Sequence, residues 1–370
     1  MSKYRDLNTP ARTLLGPGPS MVHPRVLAAM SHPVLGHLDP AFLGVMEEVQ
    51  ELLRYVFQTE NELTIPVSGT GSAGMEAALC NFIEPGDRVL IGVNGYFGER
   101  LCDMAGRYGA QVHRLEKPWG DVFSLEEIQH ELEKSSYKLV ALVHAETSTG
   151  ALQPLEGIAD LVHDNGGLFL IDCVTSLGGV PVDIDQHDVD IAYSGTQKCL
   201  SCPPGLSPLT ISERARQVLH ARESRVKNWY LDMSLVEHYW GDERTYHHTA
   251  PISMNFALRE ALRLVHEEGL EERYARHRTH AEILWNGLRD LGFELYVPEA
   301  HRLAVLSTVK VPESLDEAEV RSQLLKQYNI EIAGGLGALS GKVWRIGLMG
   351  YSSRKENVAL LLKAIQELLP

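Results

Sequence analysis

Short runs of consecutive apolar residues, each closed by turn residues and followed by a helical period, recur along the first half of the chain. The run at 63–67 precedes a glycine-rich loop, after which the Ala, Met and Leu spacing predicts a helix over 73–81. The run at 88–93 follows a Pro-Gly-Asp turn, and those at 139–143 and 168–171 are apolar and rich in Leu, Val and Ile. A shorter one at 190–193 stops at Ser194-Gly195. Buried strands alternating with helices predict βαβ units and a mostly parallel, doubly wound sheet in the α/β class. Ligands of such sheets bind beyond the carboxyl ends of the strands.

Past position 250 the texture changes. Two long amphipathic helices are predicted at 256–268 and 270–291, then strand-like runs at 304–311 and 342–346 with a helical pattern at 315–328 between them. Helices and strands mixed in this way predict a smaller C-terminal α+β domain. The expected division is an N-terminal arm (1–20), a large domain (21–267) and a small domain (268–370).

Composition narrows the function classes. The chain has 370 residues, 44% of them apolar, and a formal charge of −15. That field repels phosphate backbones and anionic lipid, so neither nucleic acid nor a membrane surface is an expected partner. A small anionic substrate would need a local basic group in its pocket. No apolar run reaches the roughly 18 residues of a membrane span. Residues 1–20 carry scattered charges and the stiff Gly16-Pro17-Gly18-Pro19 rather than a signal-peptide core, so the cytosol is the expected compartment. The five cysteines have no metal-ligand or disulfide spacing.

Gly69-Thr70-Gly71-Ser72-Ala73-Gly74 matches G-x-G-x-x-G between a predicted strand and helix, which taken alone is the dinucleotide fingerprint. Against it, the next strand ends in Asn94-Gly95, where an acid for the ribose is needed. A plain turn with helix capping by Thr70 or Ser72 is the bland alternative. The favoured reading is a phosphate cradle of backbone N–H groups at a helix N-terminus, which does not specify whose phosphate it holds.

Asp172 closes the apolar run 168–171, and Lys198 lies on the polar turn Ser194-Gly195-Thr196-Gln197-Lys198 after the following strand. If these strands are near one another, both side chains enter one crevice. The alternatives are a buried Asp–Lys ion pair or two solvated strand ends. Phosphate cradle, buried aspartate and turn lysine together are the parts that hold pyridoxal phosphate. Phe97 could stack on its ring, or be an ordinary core aromatic. Arg345, between apolar residues in a strand-like run, calls for an anionic partner, either a substrate carboxylate or a structural acid.

At these positions the chain resembles the class V aminotransferases, specifically the alanine–glyoxylate and serine–pyruvate group. The resemblance runs over nearly the whole length. Its most specific pieces are Tyr193-Ser194-Gly195-Thr196-Gln197-Lys198, Tyr246-His247-His248-Thr249 and Gly334-Gly335-Leu336-Gly337, joined by Glu146-Thr147-Ser148-Thr149-Gly150. It implies a fold-type I pyridoxal-phosphate homodimer with shared active sites. Lys198 is then the Schiff-base lysine and Asp172 the partner of the pyridine nitrogen. Thr70, Gly71, Ser72 and Gln197 surround the phosphate, with Tyr246 and Thr249 reaching it from the other subunit. Thr147 lies near the ring oxygen, Arg345 clamps the substrate carboxylate, and Gly36 lines the pocket wall. Ser72 and Phe97 depart from the histidine and tryptophan of the best-known eukaryotic members, which bears on cofactor affinity. Adjacent His247 and His248 invite a zinc reading, but no third ligand has metal spacing.

The resemblance implies transfer of an amino group from alanine or serine to glyoxylate or pyruvate. Three alternatives stand beside it: another pyridoxal-phosphate reaction such as cysteine desulfuration, a nicotinamide-dependent dehydrogenase using the Gly69–Gly74 loop, and a non-catalytic binding protein.

Overall fold

The computed structural model describes Tyr4 and residues 6–369; the start of the expected arm (1–3 and 5) and Pro370 lie outside the described residues. Seven strands form the main sheet: β1 (Leu63–Ser68), β2 (Arg88–Val93), β3 (Gln111–Glu116), β4 (Leu139–Val143), β5 (Leu168–Asp172), β6 (Ile191–Tyr193) and β7 (Leu206–Ile211). Their order is β1-β7-β6-β5-β4-β2-β3. Neighbours are parallel from β6 across to β3, while β7 is antiparallel to both β1 and β6. Strands β4 and β5 are buried at every position, which is why they are uninterrupted apolar runs.

Apolar clusters cover both faces of this sheet. One contains Ile65, Ala77, Ile91, Ala141 and Leu170; the other contains Leu90, Val140, Phe169, Ala192 and Leu258. Side chains of alternate residues on one strand therefore enter opposite clusters, as the period of two requires. Each fully buried Leu, Ile or Val contributes roughly 1.5–3 kcal/mol.

The predicted helix after β1 begins two residues early, as α1 (Gly71–Cys80). After β2 comes α2 (Tyr96–Arg107). The two long helices are α3 (Ile252–Glu268) and α4 (Leu270–Asp290). Beyond them, β8 (Glu294–Leu295), β9 (Leu306–Lys310), β10 (Ala333–Gly334) and β11 (Val343–Gly347) form an antiparallel sheet in the order β8-β9-β11-β10. A third cluster beneath it holds Trp285, Leu306, Trp344, Ile346 and Leu361.

The arm joins this second sheet's surroundings before it reaches the first. Thr13 and Leu14 pair in parallel with Ile330 and Glu331, and Leu15 is buried in the third cluster. Gly347 N–H then donates to Leu15 O, and Ser20 N–H to Gln197 O. Residues 13–20 thus run from the antiparallel sheet to the lysine turn.

Candidate active site

The lysine turn sits beyond the carboxyl end of β6 and is held from outside. Ser20 Oγ donates to Lys198 O at 2.7 Å, and the Lys198 ammonium donates to Pro17 O. Gly18 has φ +107°, and a Cβ there would lie 2.7 Å from Lys198 Cδ. Glycine is therefore required both by the backbone conformation and by the lysine's passage. Lys198 is only 9% exposed. Burial, reinforced by the Arg345 charge, pushes its pKa down to about 8. A lysine with a lowered pKa is a usable nucleophile and proton carrier near neutral pH.

Asp172 ends β5 at 2% exposure, with its carboxylate accepting from Val174 N–H at 2.9 Å and from the Tyr193 phenol at 2.7 Å. Among the described residues no cationic side chain comes within 4.0 Å of it. Burial accordingly pushes its pKa up to about 6, against the two hydrogen bonds. Asp172 ends β5 and Lys198 follows the neighbouring strand β6, and the two do not form the contact ion pair that was their structural alternative.

The glycine loop follows β1, an edge strand whose sole neighbour in the sheet is antiparallel. A dinucleotide site needs that strand in a parallel βαβ unit, so the topology removes the nicotinamide reading. Thr70 is the N-cap of α1, yet its side chain makes no capping bond. The first N–H groups of a helix have no acceptor within it. Buried Gly71 brings this N-terminus against Val174 and Gly195, where a Cβ would lie 3.4 Å and 3.7 Å away. Thr70 and Ser72 are exposed at its rim, and Gln197 Oε1 is buried with no partner. The loop presents backbone N–H and hydroxyl donors beside Val174 and Gly195, next to Asp172 and the lysine turn.

Phe97 is the second residue of α2, whose N-cap is a glycine without a side chain to cap it. Glu146 and Ser148 supply the caps instead: Phe97 N–H donates to Glu146 Oε2 at 3.1 Å, and Tyr96 N–H to Ser148 Oγ at 2.9 Å. The Arg100 guanidinium lies 4.9 Å from the Phe97 ring centre and reaches Ser72 Oγ at 3.4 Å. Thr147, next along, is buried with its hydroxyl on that of Thr175.

Arg345 lies on β11, buried, with Nε donating to Gly334 O at 2.8 Å and Nη1 to Thr147 O at 3.2 Å. Among the described residues no carboxylate approaches its guanidinium within 4.0 Å, so the structural salt bridge is absent. Burial pushes its pKa down to about 10, with Glu146 the charge that opposes the fall. A buried cation held only by carbonyls has capacity left for an anion.

With this geometry in view, the comparisons with known proteins are specific. The sequence profile of aminotransferase class V matches residues 13–361. The chain belongs to the class V aminotransferases. Among curated relatives, it is 45% identical to the (S)-ureidoglycine–glyoxylate transaminase of Bacillus subtilis, covering 100% of this chain and 93% of that protein. It is 43% identical to the alanine–glyoxylate aminotransferase of Callithrix jacchus, covering 99% and 89% respectively. A crystal structure of alanine–glyoxylate aminotransferase from Nostoc sp. superposes with a TM-score of 0.99 at 57% identity, covering 100% of this chain and 98% of that one. The protein is thus a transaminase with the α/β fold of pyridoxal-phosphate-dependent aminotransferases.

As a class V aminotransferase it needs a place for pyridoxal phosphate, and the residues present fit that group. The donors at the start of α1 suit its phosphate, the buried Asp172 carboxylate its ring nitrogen and the low-pKa Lys198 amine its aldehyde. The two residues expected to reach the phosphate from the other subunit, and the glycine expected at the pocket wall, lie on this chain's surface. Gly36, Tyr246 and Thr249 are all exposed, Tyr246 at 56%, and Tyr246 packs on His37 with ring centres 4.9 Å apart. His247 and His248 hydrogen-bond each other, and His248 also meets Ser68, rather than converging on a metal.

Sequence reasoning missed Tyr193 and Glu146 as site residues, although both lie inside quoted motifs. The only available signal for Tyr193 was its place at the end of the strand after Asp172. Glu146 could have been noticed as an acid amid buried residues. Cys199, beside the lysine, does not suit the desulfurase alternative: it is fully buried on Thr175 O, with its pKa pushed up to about 12 by burial. A mobile thiolate nucleophile needs the opposite environment.

Proposed function

We propose that this transaminase binds pyridoxal phosphate at Lys198 and moves the amino group of a small amino acid, alanine or serine, to glyoxylate or pyruvate. The observation carrying this reading is Arg345: a buried guanidinium without an acid, joined through Thr147 to the segment that positions Phe97. The names of the relatives, which specify glyoxylate in both curated cases, support that acceptor.

Bound pyridoxal phosphate supplies a protonated ring that accepts the electron pair released at the substrate's Cα. Around it, Thr70, Gly71, Ser72 and Gln197 would hold the phosphate, Asp172 would keep the ring nitrogen protonated, Phe97 would cover the ring, and Thr147 would serve the ring oxygen. Arg345 binds the substrate carboxylate, and the Lys198 amine carries the proton to and from Cα. Gly36, Tyr246 and Thr249 serve the site of a second copy in a homodimer, which accounts for an exposed tyrosine and threonine in this motif. Arg321, which lies near Gly334, is held by both Glu317 oxygens. A distal substrate carboxylate would therefore find no free partner in Arg321.

The test is a half-reaction panel of alanine, serine, (S)-ureidoglycine, glutamate and aspartate with cofactor-loaded enzyme, followed by return with glyoxylate or pyruvate. Fastest conversion with alanine or serine supports the proposal. Fastest conversion with ureidoglycine reassigns the donor, and with glutamate or aspartate overturns the small-donor reading.

A further inference from the structure

Asp172 and Tyr193 are partners in the register of β5 and β6, so the backbone itself sets the phenol beside the carboxylate. Tyr193 is fully buried, and its hydroxyl donates to Asp172 Oδ2 at 2.7 Å while the other oxygen takes Val174 N–H. We propose that Tyr193 is a positioning residue for amino transfer, its phenol holding Asp172 ionised and aimed at the cofactor's ring nitrogen. This inference rests on the pyridoxal-phosphate reading above.

The geometry shows why such a donor is needed. Asp172 has no contact cation, and the charges facing it are mixed. Lys198 on its turn and Arg100 on α2 favour the carboxylate, while Glu146 on the segment after β4 opposes it. Tyr193 is the strongest favourable influence against burial, ahead of the Val174 N–H. Its own pKa is pushed well above the usual value, by burial first and then by Asp172, so it stays a donor across the working range. A hydrogen bond to the charged form lowers a carboxylate's basicity. Asp172 and the ring nitrogen compete for one proton, so a less basic carboxylate leaves that proton on the ring.

Tyr193→Phe removes one oxygen and keeps the ring. A hydrogen bond to a charged acceptor corresponds to about 1–2 pH units. The Asp172 midpoint in cofactor-free protein should therefore rise from about 6 by about 1–2 pH units, read by carbon-13 NMR of its carboxyl. In enzyme loaded with pyridoxal phosphate labelled at the ring with nitrogen-15, the ring nitrogen should move toward its unprotonated shift. The equilibrium should change by about ten- to a hundredfold. With Asp172→Asn in the background, adding Tyr193→Phe should leave the ring signal unchanged, which a merely structural effect of the hydroxyl would not do. An unmoved carboxyl midpoint overturns the inference, as does a ring-nitrogen change that persists without Asp172. If wild-type protein takes up no pyridoxal phosphate while Tyr193→Phe still raises the carboxyl midpoint, the functional reading is overturned and with it this role.

Discussion

Replacing Arg345 with methionine removes the buried cation while keeping most of its volume. Two opposing effects decide what happens to the empty protein. Arg345 is held with its pKa about 2.5 units below the ordinary 12.5, so relieving its charge contributes about 3 kcal/mol. Losing its bonds to Gly334 O and Thr147 O costs about 1 kcal/mol each. Stability should therefore change little, by less than about 2 kcal/mol. Substrate binding has no such compensation. A substrate carboxylate left without its buried partner costs about 3–5 kcal/mol, or about 10²–10⁴ in kcat/KM. The assay is the single-turnover half-reaction of cofactor-loaded enzyme with alanine and with ethylamine, which is alanine without its carboxylate. Alanine should lose the full factor and ethylamine almost nothing, so the ratio of the two collapses. Less than a tenfold loss for alanine, or an equal loss for ethylamine, would refute a carboxylate clamp and make Arg345 a purely structural arginine.

Lys198→Ala should abolish turnover, and borohydride reduction of loaded wild-type enzyme should place the label on Lys198 in a peptide map; a label elsewhere removes its assignment. In cofactor-free protein Lys198 has a pKa near 8. Between pH 8 and about 10.5 the unfolded chain therefore binds more protons, and stability should rise with pH across that window. Lys198→Met should remove about 3 kcal/mol of that rise, measured as the difference between wild-type and variant denaturant curves. Gly18→Ala forces a left-handed residue, at about 1–2 kcal/mol, and pushes on Lys198; activity should fall far more than in Gly16→Ala, where a Cβ meets nothing nearer than 3.9 Å. Mixing Lys198→Ala with Tyr246→Phe/Thr249→Ala subunits should restore activity above either parent, and confirmed mixed dimers without recovery would mean that each site is built from one chain.

Strands β4 and β5 could be read directly from the chain because both faces are buried, leaving runs without polar alternation. The same holds for the positions of Asp172 and Lys198, since strand ends in a parallel sheet open on one edge. Strand β3 could not be read: at the sheet's margin its sequence Gln-Val-His-Arg-Leu-Glu is polar and partly exposed, as an edge strand must be to avoid further pairing. Strand β7 was not read: Ser207, Pro208 and Thr210 leave no uninterrupted apolar run of the kind that marks β4 and β5, although every position is buried. Its antiparallel direction, a property of chain crossings rather than of any local run, is what separates the Gly69–Gly74 cradle from a dinucleotide loop. Only the tertiary structure brings residues 13–20 through the second sheet to Lys198, and only the register of β5 against β6 sets Tyr193 on Asp172. Local patterns of burial and turn chemistry record where elements form and which end of the sheet is open. Which side chains meet depends on strand order, direction and register, and those are decided by contacts between residues far apart in the chain.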